Sequence, residues 1–163
     1  MIRFSEYFNS WLYEKDGYYT DYKNIGKEGD FFTSVSASSF FGGAIAKKII
    51  DSIESGFLNK NSTILEIGAH KGYLLADIIQ FIYTLKPELL KTLNFAILER
   101  FESLRVVQKK YLFDSFADSI NFQHYKNFDE IKLDSAFIIS NELFDSFACD
   151  LIYTKDNVIK QAF

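Results

Sequence analysis

A chain of 163 residues, 48% hydrophobic and 18% aromatic, fits one domain, and a domain of this size buries roughly 70% of its unfolded surface. Its net charge of -4 gives no general attraction for phosphate backbones, so no nucleic-acid partner is expected. The single cysteine, Cys149, excludes an intramolecular disulfide and a cysteine-based zinc site; no metal is expected, and Cys149 reads as a small buried apolar residue.

No apolar run approaches the ~20 residues that cross a bilayer, and Glu6, Lys15 and Asp16 interrupt any secretory apolar stretch near the N-terminus. A soluble cytoplasmic protein without membrane insertion is the expectation. Ser5 can cap a first helix whose Phe4, Phe8, Trp11 and Leu12 fall on one side, with Asp16-Gly17 stopping it. Gly17 to Gly42 then mixes aromatic and polar residues without a period, and a loop this long is more often functional than idle. Two readings are open: a lid with Asp30, Phe31, Thr33 and Ser34 facing a ligand, or a cap from Thr33, Ser34 or a nearby serine, with Phe31 and Phe32 in the core.

From about Phe40 to Phe57 the spacing of Phe41, Ile45, Ile49 and Ile53 is helical, with Lys47 and Lys48 outward and Gly56 as C-cap. Thr63 to Ile67 is a β-branched, apolar run that predicts a strand. Gly68 to Gly72 breaks it, and Leu74, Leu75, Ile78 and Ile82 predict a helix ending before Pro87, the only proline. Asn94 to Glu99 reads as a second strand, and Arg100 to Phe113 as a helix carrying Leu104, Val107 and Tyr111. Ser119 to His124 and Ala136 to Ser140 are the third and fourth strands, and CDLIYTKDNVIKQAF predicts a hairpin turning at Asp156-Asn157.

Strands alternating with helices predict a parallel sheet with helices on both faces, and ligands of such sheets bind outside the carboxyl ends of the strands. That places Glu66 to Gly72, Glu99, His124, and Asn141 with Glu142 and Asp145 at one end of the sheet. The expected division is residues 1–57, N-terminal helices and a lid-like segment, and residues 58–163, the cofactor-binding core.

The turn after the first strand lacks the G-x-G-x-x-G of dinucleotide folds and the G-x-x-x-x-G-K-[ST] of phosphate-cradling loops. Its E-x-G-x-x-x-G is similar to the E/D-x-G-x-G-x-G motif of Rossmann-like S-adenosylmethionine methyltransferases; an ordinary strand-to-helix turn fits the same residues. Glu99 stands where an acid accepts both ribose hydroxyls of an adenosyl ligand, or where a helix-start carboxylate is favoured by the macrodipole. Glu142 and Asp145, three apart in SNELFD, would share a face if helical and could grip a guanidinium while Asn141 orients substrate or cofactor. Equally, Asn141 could cap a helix with acids in its first turn.

Taken together, LYEKDGYYTDYKNIGKEGDFFTS, ILEIGAHKGYLLADI, ILERFESLRVVQ and IISNELFDSFACD resemble, in order, the signatures of the MidA-like methyltransferases, whose mitochondrial members are complex I assembly factors that dimethylate an arginine. The resemblance implies an α/β, Rossmann-like class I fold that uses S-adenosylmethionine and acts on a protein substrate. It implies a cofactor pocket from Gly29, Asp30, Thr33, Ser34, Glu66, Gly68, Gly72 and Glu99, with Asn141, Glu142 and Asp145 bordering the transfer site. Three departures stand out. His70 replaces the middle glycine, where φ is expected to be positive. Ser146, Phe147 and Ala148 replace the family's Ala-x-Pro. The chain ends in the hairpin, which predicts a truncated parallel sheet that a partner chain or second copy would complete. The competing reading is a binding or assembly module that keeps the fold without the cofactor.

Overall fold

Four short segments become parallel strands, three of them mostly apolar: β1 (Thr63–Ile67), β2 (Asn94–Leu98), β3 (Asn121–Tyr125), which is mostly polar, and β4 (Ala136–Ile139). The computed structural model describes residues 2–15, 17–18 and 34–162. Asp16, Gly29, Asp30, Phe31, Phe32 and Thr33 lie outside the described residues, and with them most of the expected lid. Two compact units are distinguished: residues 33–141, and residues 1–32 together with 142–163.

The larger unit holds the sheet, ordered β3-β2-β1-β4. Thr63 sits opposite both Asn94 and Ala136, and Asn94 opposite Asn121, so all four strands start level and finish at the same end. Because the chain builds outward from β1 to β3 and then crosses back to the other side of β1, the order reverses there, which is where open parallel sheets form ligand crevices.

The helices are α2 (Ser34–Ala37), α3 (Phe40–Glu54), α4 (Tyr73–Leu85) and α5 (Glu102–Phe116). The Ser38 hydroxyl accepts the Phe40 N–H at 3.2 Å at the entry to α3, where Ser39 is the N-cap residue, so it is a nearby serine, one of the expected caps, that bonds the start of this helix. At the other end Gly56 takes φ +77, the left-handed C′ position expected of it. Ile49, Leu74, Leu75, Ile78, Ile79, Ile82 and Leu112 bury against Ile64, Phe95 and Ile97 in one core. Each such side chain contributes ~1.5–3 kcal/mol relative to exposure.

That core gathers α3, α4 and α5 on one face of the sheet, so among the described residues of this unit the helices differ from the expectation of helices on both faces. On the other face Leu65, Ala96 and Leu98 pack with Ile67, Tyr125, Ile131 and Leu133, so within this unit the connection between β3 and β4 supplies the cover. It holds only a 3-10 turn, Phe128–Glu130. Asn127 caps that turn through its side chain, and the ten residues separating the two strands leave little room for a packed helix.

The smaller unit contains α1 (Phe4–Tyr13), β5 (Ile152–Lys155) and β6 (Val158–Gln161). Ser5 lies inside α1 rather than capping it; Arg3 is the cap residue, and the Glu6 carboxylate reaches back to its N–H at 3.3 Å. Strands β5 and β6 pair antiparallel with Lys155 opposite Val158, and Asp156 and Asn157 between them have φ +54 and +58. Both central residues of a mirror-image two-residue turn must be left-handed, and Asp and Asn tolerate that best after glycine. Cys149 is exposed, against expectation, because the stretch from Phe147 to Leu151 adopts neither helix nor strand.

Helices α3 and α4 approach closely because Gly42 has no side chain. A Cβ there would lie 2.5 Å from Asp77 Cβ and 3.2 Å from the Ile78 amide nitrogen. Gly42→Ala is expected to lower unfolding free energy by ~1–3 kcal/mol, the usual cost of overpacking, read from the denaturation midpoint.

Candidate cofactor site

β1 ends at Ile67 and α4 begins at Tyr73, so residues 68–72 must reverse the chain in a single tight turn. Gly68, His70 and Gly72 all take positive φ, +72, +49 and +83. The family's glycine positions are therefore the left-handed positions of this turn, and His70 adopts the conformation a glycine would hold. A non-glycine residue there costs on the order of 1–2 kcal/mol, so the surrounding contacts must impose it.

Those contacts are identifiable. The Gly68 N–H donates to the Leu98 carbonyl at 3.2 Å, extending the β1–β2 ladder past the strands and setting the glycine beside Glu99. The Gly72 N–H closes on the Ala69 carbonyl at 2.7 Å. The His70 carbonyl accepts from Gln108 Nε2 at 2.7 Å. Gly68 is exposed while Ala69 and Gly72 are buried, so the open side of the turn is bare backbone.

Glu66 is 4% exposed, and its Oε2 accepts the Leu75 N–H at 3.1 Å. It thereby caps the first turn of α4 from the neighbouring strand. Burial pushes its carboxyl up to about 8 against the Leu75 hydrogen bond, which favours the anion. Its immediate role is to hold helix to strand.

Glu99 follows β2, also buried, with its N–H bonded to the Tyr125 carbonyl at 2.9 Å. Its Oε1 accepts the Phe101 N–H at 2.9 Å, while Arg105 Nη1 donates to the carbonyls of Glu99 and Arg100 at 2.9 and 2.8 Å. These bonds delay the start of α5 to Glu102, later than expected. Desolvation raises the Glu99 carboxyl above its ordinary range, opposed by Phe101, Gln108 and Arg100. A buried carboxylate in that state gains from further hydroxyl donors.

The fully buried residues of α5 are Leu104, Gln108 and Leu112, spaced by four; of the expected Leu104, Val107 and Tyr111, Tyr111 is half-buried against the core and Val107 is 42% exposed. Sequence reasoning missed Gln108 because a polar residue breaks the apolar pattern, although its spacing from the two leucines carries the signal. His124 Nε2 lies 2.9 Å from Gln108 Oε1, and burial with Arg105 and Lys109 nearby lowers the imidazole to about 4.

Ser34 is exposed at the start of α2, and Asn141 is half-buried at the end of the larger unit. Glu142 and Asp145, both exposed, belong to the smaller one. There Glu142 takes φ +50 and only a 3-10 turn, Phe144–Ser146, follows. The expected helix, with Asn141 as cap and the two acids sharing a face, does not form. Tyr13 Oη donates to the Ser146 carbonyl at 2.5 Å, and the Ser5 N–H to Asp150 Oδ1 at 3.2 Å, tying this segment to α1.

Residues 44–163 match the family described as "Putative S-adenosyl-L-methionine-dependent methyltransferase". The chain belongs to this family. S-adenosylmethionine is the cofactor that membership assigns. Among curated relatives, protein arginine methyltransferase NDUFAF7, mitochondrial, of Bos taurus is 25% identical over 148 residues, covering 79% of this chain and 33% of that protein. Its Rattus norvegicus counterpart is 22% identical, covering 79% and 34%. The chain thus spans about a third of the length of these relatives. A COG1565 superfamily member from Burkholderia thailandensis, bound to S-adenosyl-homocysteine, superposes with TM-score 0.76 at 22% identity, over 98% of this chain and 41% of that one. A second structure from that organism gives 0.65 at 20% identity, over 99% and 43%. The fold is the Rossmann-like methyltransferase fold. No described helix is long and apolar enough to cross a membrane.

The site fits the family's cofactor in its backbone: left-handed residues at 68, 70 and 72, an exposed glycine, and a buried carboxylate on the adjoining strand. The His70 side chain is the one addition.

The raised Glu66 carboxyl sets a pH test. Between its ordinary 4.5 and about 8 the folded chain holds a proton that the unfolded chain has released, so stability falls as pH rises across that window. Glu66→Gln keeps an acceptor for Leu75 and removes the titration. Melting temperatures of the two proteins are expected to diverge from pH 5 to pH 8 in favour of the glutamine variant.

Proposed function

We propose that this chain is the cofactor-binding part of a protein arginine methyltransferase, with Gly68, Gly72 and Glu99 at the adenosyl moiety. The observation that carries this reading is the left-handed turn hydrogen-bonded through Gly68 to the strand end that bears Glu99. Glu99 accepts the ribose hydroxyls, and the bare backbone of the turn lets the ligand close on it. Glu66 acts indirectly, by fixing the turn to α4. The sequence resemblance also assigns Gly29, Asp30, Thr33 and Ser34 to the cofactor; of these only Ser34 lies among the described residues.

S-adenosylmethionine supplies a methyl group already activated on a sulfonium. What remains for the protein is to present the acceptor nitrogen with a free lone pair. An arginine is protonated at neutral pH, so carboxylates must draw its charge away from the attacking nitrogen, the role we assign to Glu142 and Asp145, with Asn141 orienting the partner. The arginine acceptor rests on the sequence resemblance and on the likeness to the bovine and rat protein arginine methyltransferases, and the link to complex I assembly on the resemblance.

A second reading, a binding module that has lost the cofactor, draws on the His70 side chain in the turn. Calorimetric titration with S-adenosylhomocysteine separates the two. Saturable binding is expected, weakened ~10–100-fold in Glu99→Ala, because hydrogen bonds to a charged group contribute ~1.5–3 kcal/mol. Glu99→Gln serves if the alanine variant does not fold. His70→Gly is expected to bind several-fold more tightly, since glycine holds φ +49 without strain. No heat at millimolar ligand from wild type and His70→Gly alike would defeat the methyltransferase reading for this chain.

A further inference from the structure

Gln108 is the one polar side chain among the buried residues of α5, and it closes on the turn after β1 in two ways. Its Nε2 donates to the His70 carbonyl at 2.7 Å. Its stem lies beside the last residue of the turn, where a Cβ on Gly72 would meet Gln108 Cγ at 3.7 Å. On its other side Oε1 faces His124 Nε2 near the end of β3 at 2.9 Å. The His124 ring in turn meets Phe122 edge-on, with centroids 4.7 Å apart. A single carboxamide thus links the turn that follows β1 to a strand two places away in the sheet.

Chemistry dictates the polarity of this chain of bonds. A backbone carbonyl only accepts, so the amide nitrogen of Gln108 faces His70 and its oxygen faces His124. That oxygen also only accepts, so His124 must carry a proton on Nε2. Burial, with Arg105 and Lys109 nearby, lowers His124 to about 4, so near neutral pH the ring is uncharged and holds one nitrogen-bound proton. Directional bonds at both ends fix the carboxamide in one orientation. His70 holds φ +49, a conformation that a non-glycine residue keeps only where its surroundings impose it. Relaxing position 70 to right-handed backbone would swing its carbonyl off Gln108 Nε2.

We propose that Gln108, anchored by His124, is a positioning residue for the adenosyl ligand: by holding the His70 carbonyl it keeps the glycine turn left-handed before the ligand arrives. That role rests on the methyltransferase reading above and adds to it what presets the turn. A turn that reached this form only part of the time would lower the apparent affinity by that fraction. The histidine expected at the strand ends then acts as the far support of the turn.

Glycine at position 70 supplies the discriminating background, because it keeps φ +49 without support. Affinities for S-adenosylhomocysteine are measured by calorimetry for wild type, Gln108→Met, His70→Gly and the double variant. Gln108→Met is expected to weaken binding about tenfold with histidine at position 70 and about threefold or less with glycine there. Loss by the same factor in both backgrounds, as general loosening of α5 would give, or no loss in either, would overturn the assignment. His124→Phe keeps a ring beside Phe122 but offers Gln108 no donor. The same dependence on position 70 is expected of it, and it decides the matter where Gln108→Met does not fold. Nitrogen NMR of the ligand-free wild type gives a second readout: His124 is expected to be protonated on Nε2 at neutral pH. A proton on Nδ1 instead would overturn the anchoring whatever the ligand does. Binding by none of the proteins, with the His124 proton on Nε2, would end the methyltransferase reading and the ligand-positioning role together.

Discussion

Five residues separate the end of β1 from the start of α4, and in that distance the chain must leave the plane of the sheet and turn back along it. Alternate residues of the segment take left-handed backbone, at Gly68, His70 and Gly72. The site hangs from that constraint. The turn exposes Gly68 at the strand ends, presents the His70 carbonyl to α5, and brings the Leu75 N–H within reach of Glu66. A looser connection would leave all three contacts without a fixed geometry.

The electrostatics follow from the same packing. Glu66, Glu99 and Asp77 all lie where water is partly or wholly excluded, and burial is the leading cause of the rise in each carboxyl. They differ in what opposes burial. Glu66 accepts the Leu75 N–H at the start of α4, while Glu99 accepts the Phe101 N–H, and Gln108 and Arg100 also favour its charged form. Burial favours the neutral form of both carboxyls, opposed at Glu66 by one backbone donor and at Glu99 by several neighbouring groups.

Much of this was legible in the residues. Thr63 to Ile67, Asn94 to Leu98 and the Asp156-Asn157 hairpin were readable because β-branched runs and turn residues act locally. The positive φ at position 70 was readable from motif alignment. Other features depend on packing that no short window contains. Gln108 faces inward because of where α5 lies on the sheet, and the apolar pattern favoured Val107 instead. Ser5 lost the cap of α1 to Arg3 because the Glu6 carboxylate reaches the Arg3 N–H. SNELFD has helix-start residues, yet Glu142 is left-handed and only a 3-10 turn forms, tied to α1 through Tyr13. Helices were expected on both faces because βαβ alternation usually supplies them; the connection between β3 and β4 holds only a capped 3-10 turn.

The sheet order also has a temporal side. β1 lies between β2 and β4, so it leaves the ribosome before either neighbour exists. The hydroxyls of Ser62 and Ser135, which meet at 2.6 Å beside its first residue, are 73 residues apart in sequence. Contacts so distant carry a loop-closure penalty that local helices escape, so the nascent chain must shelter a largely apolar strand until β4 has been synthesised. Pairing of β1 with β2, and the docking of α4 between them in sequence, is what shelters it during that interval.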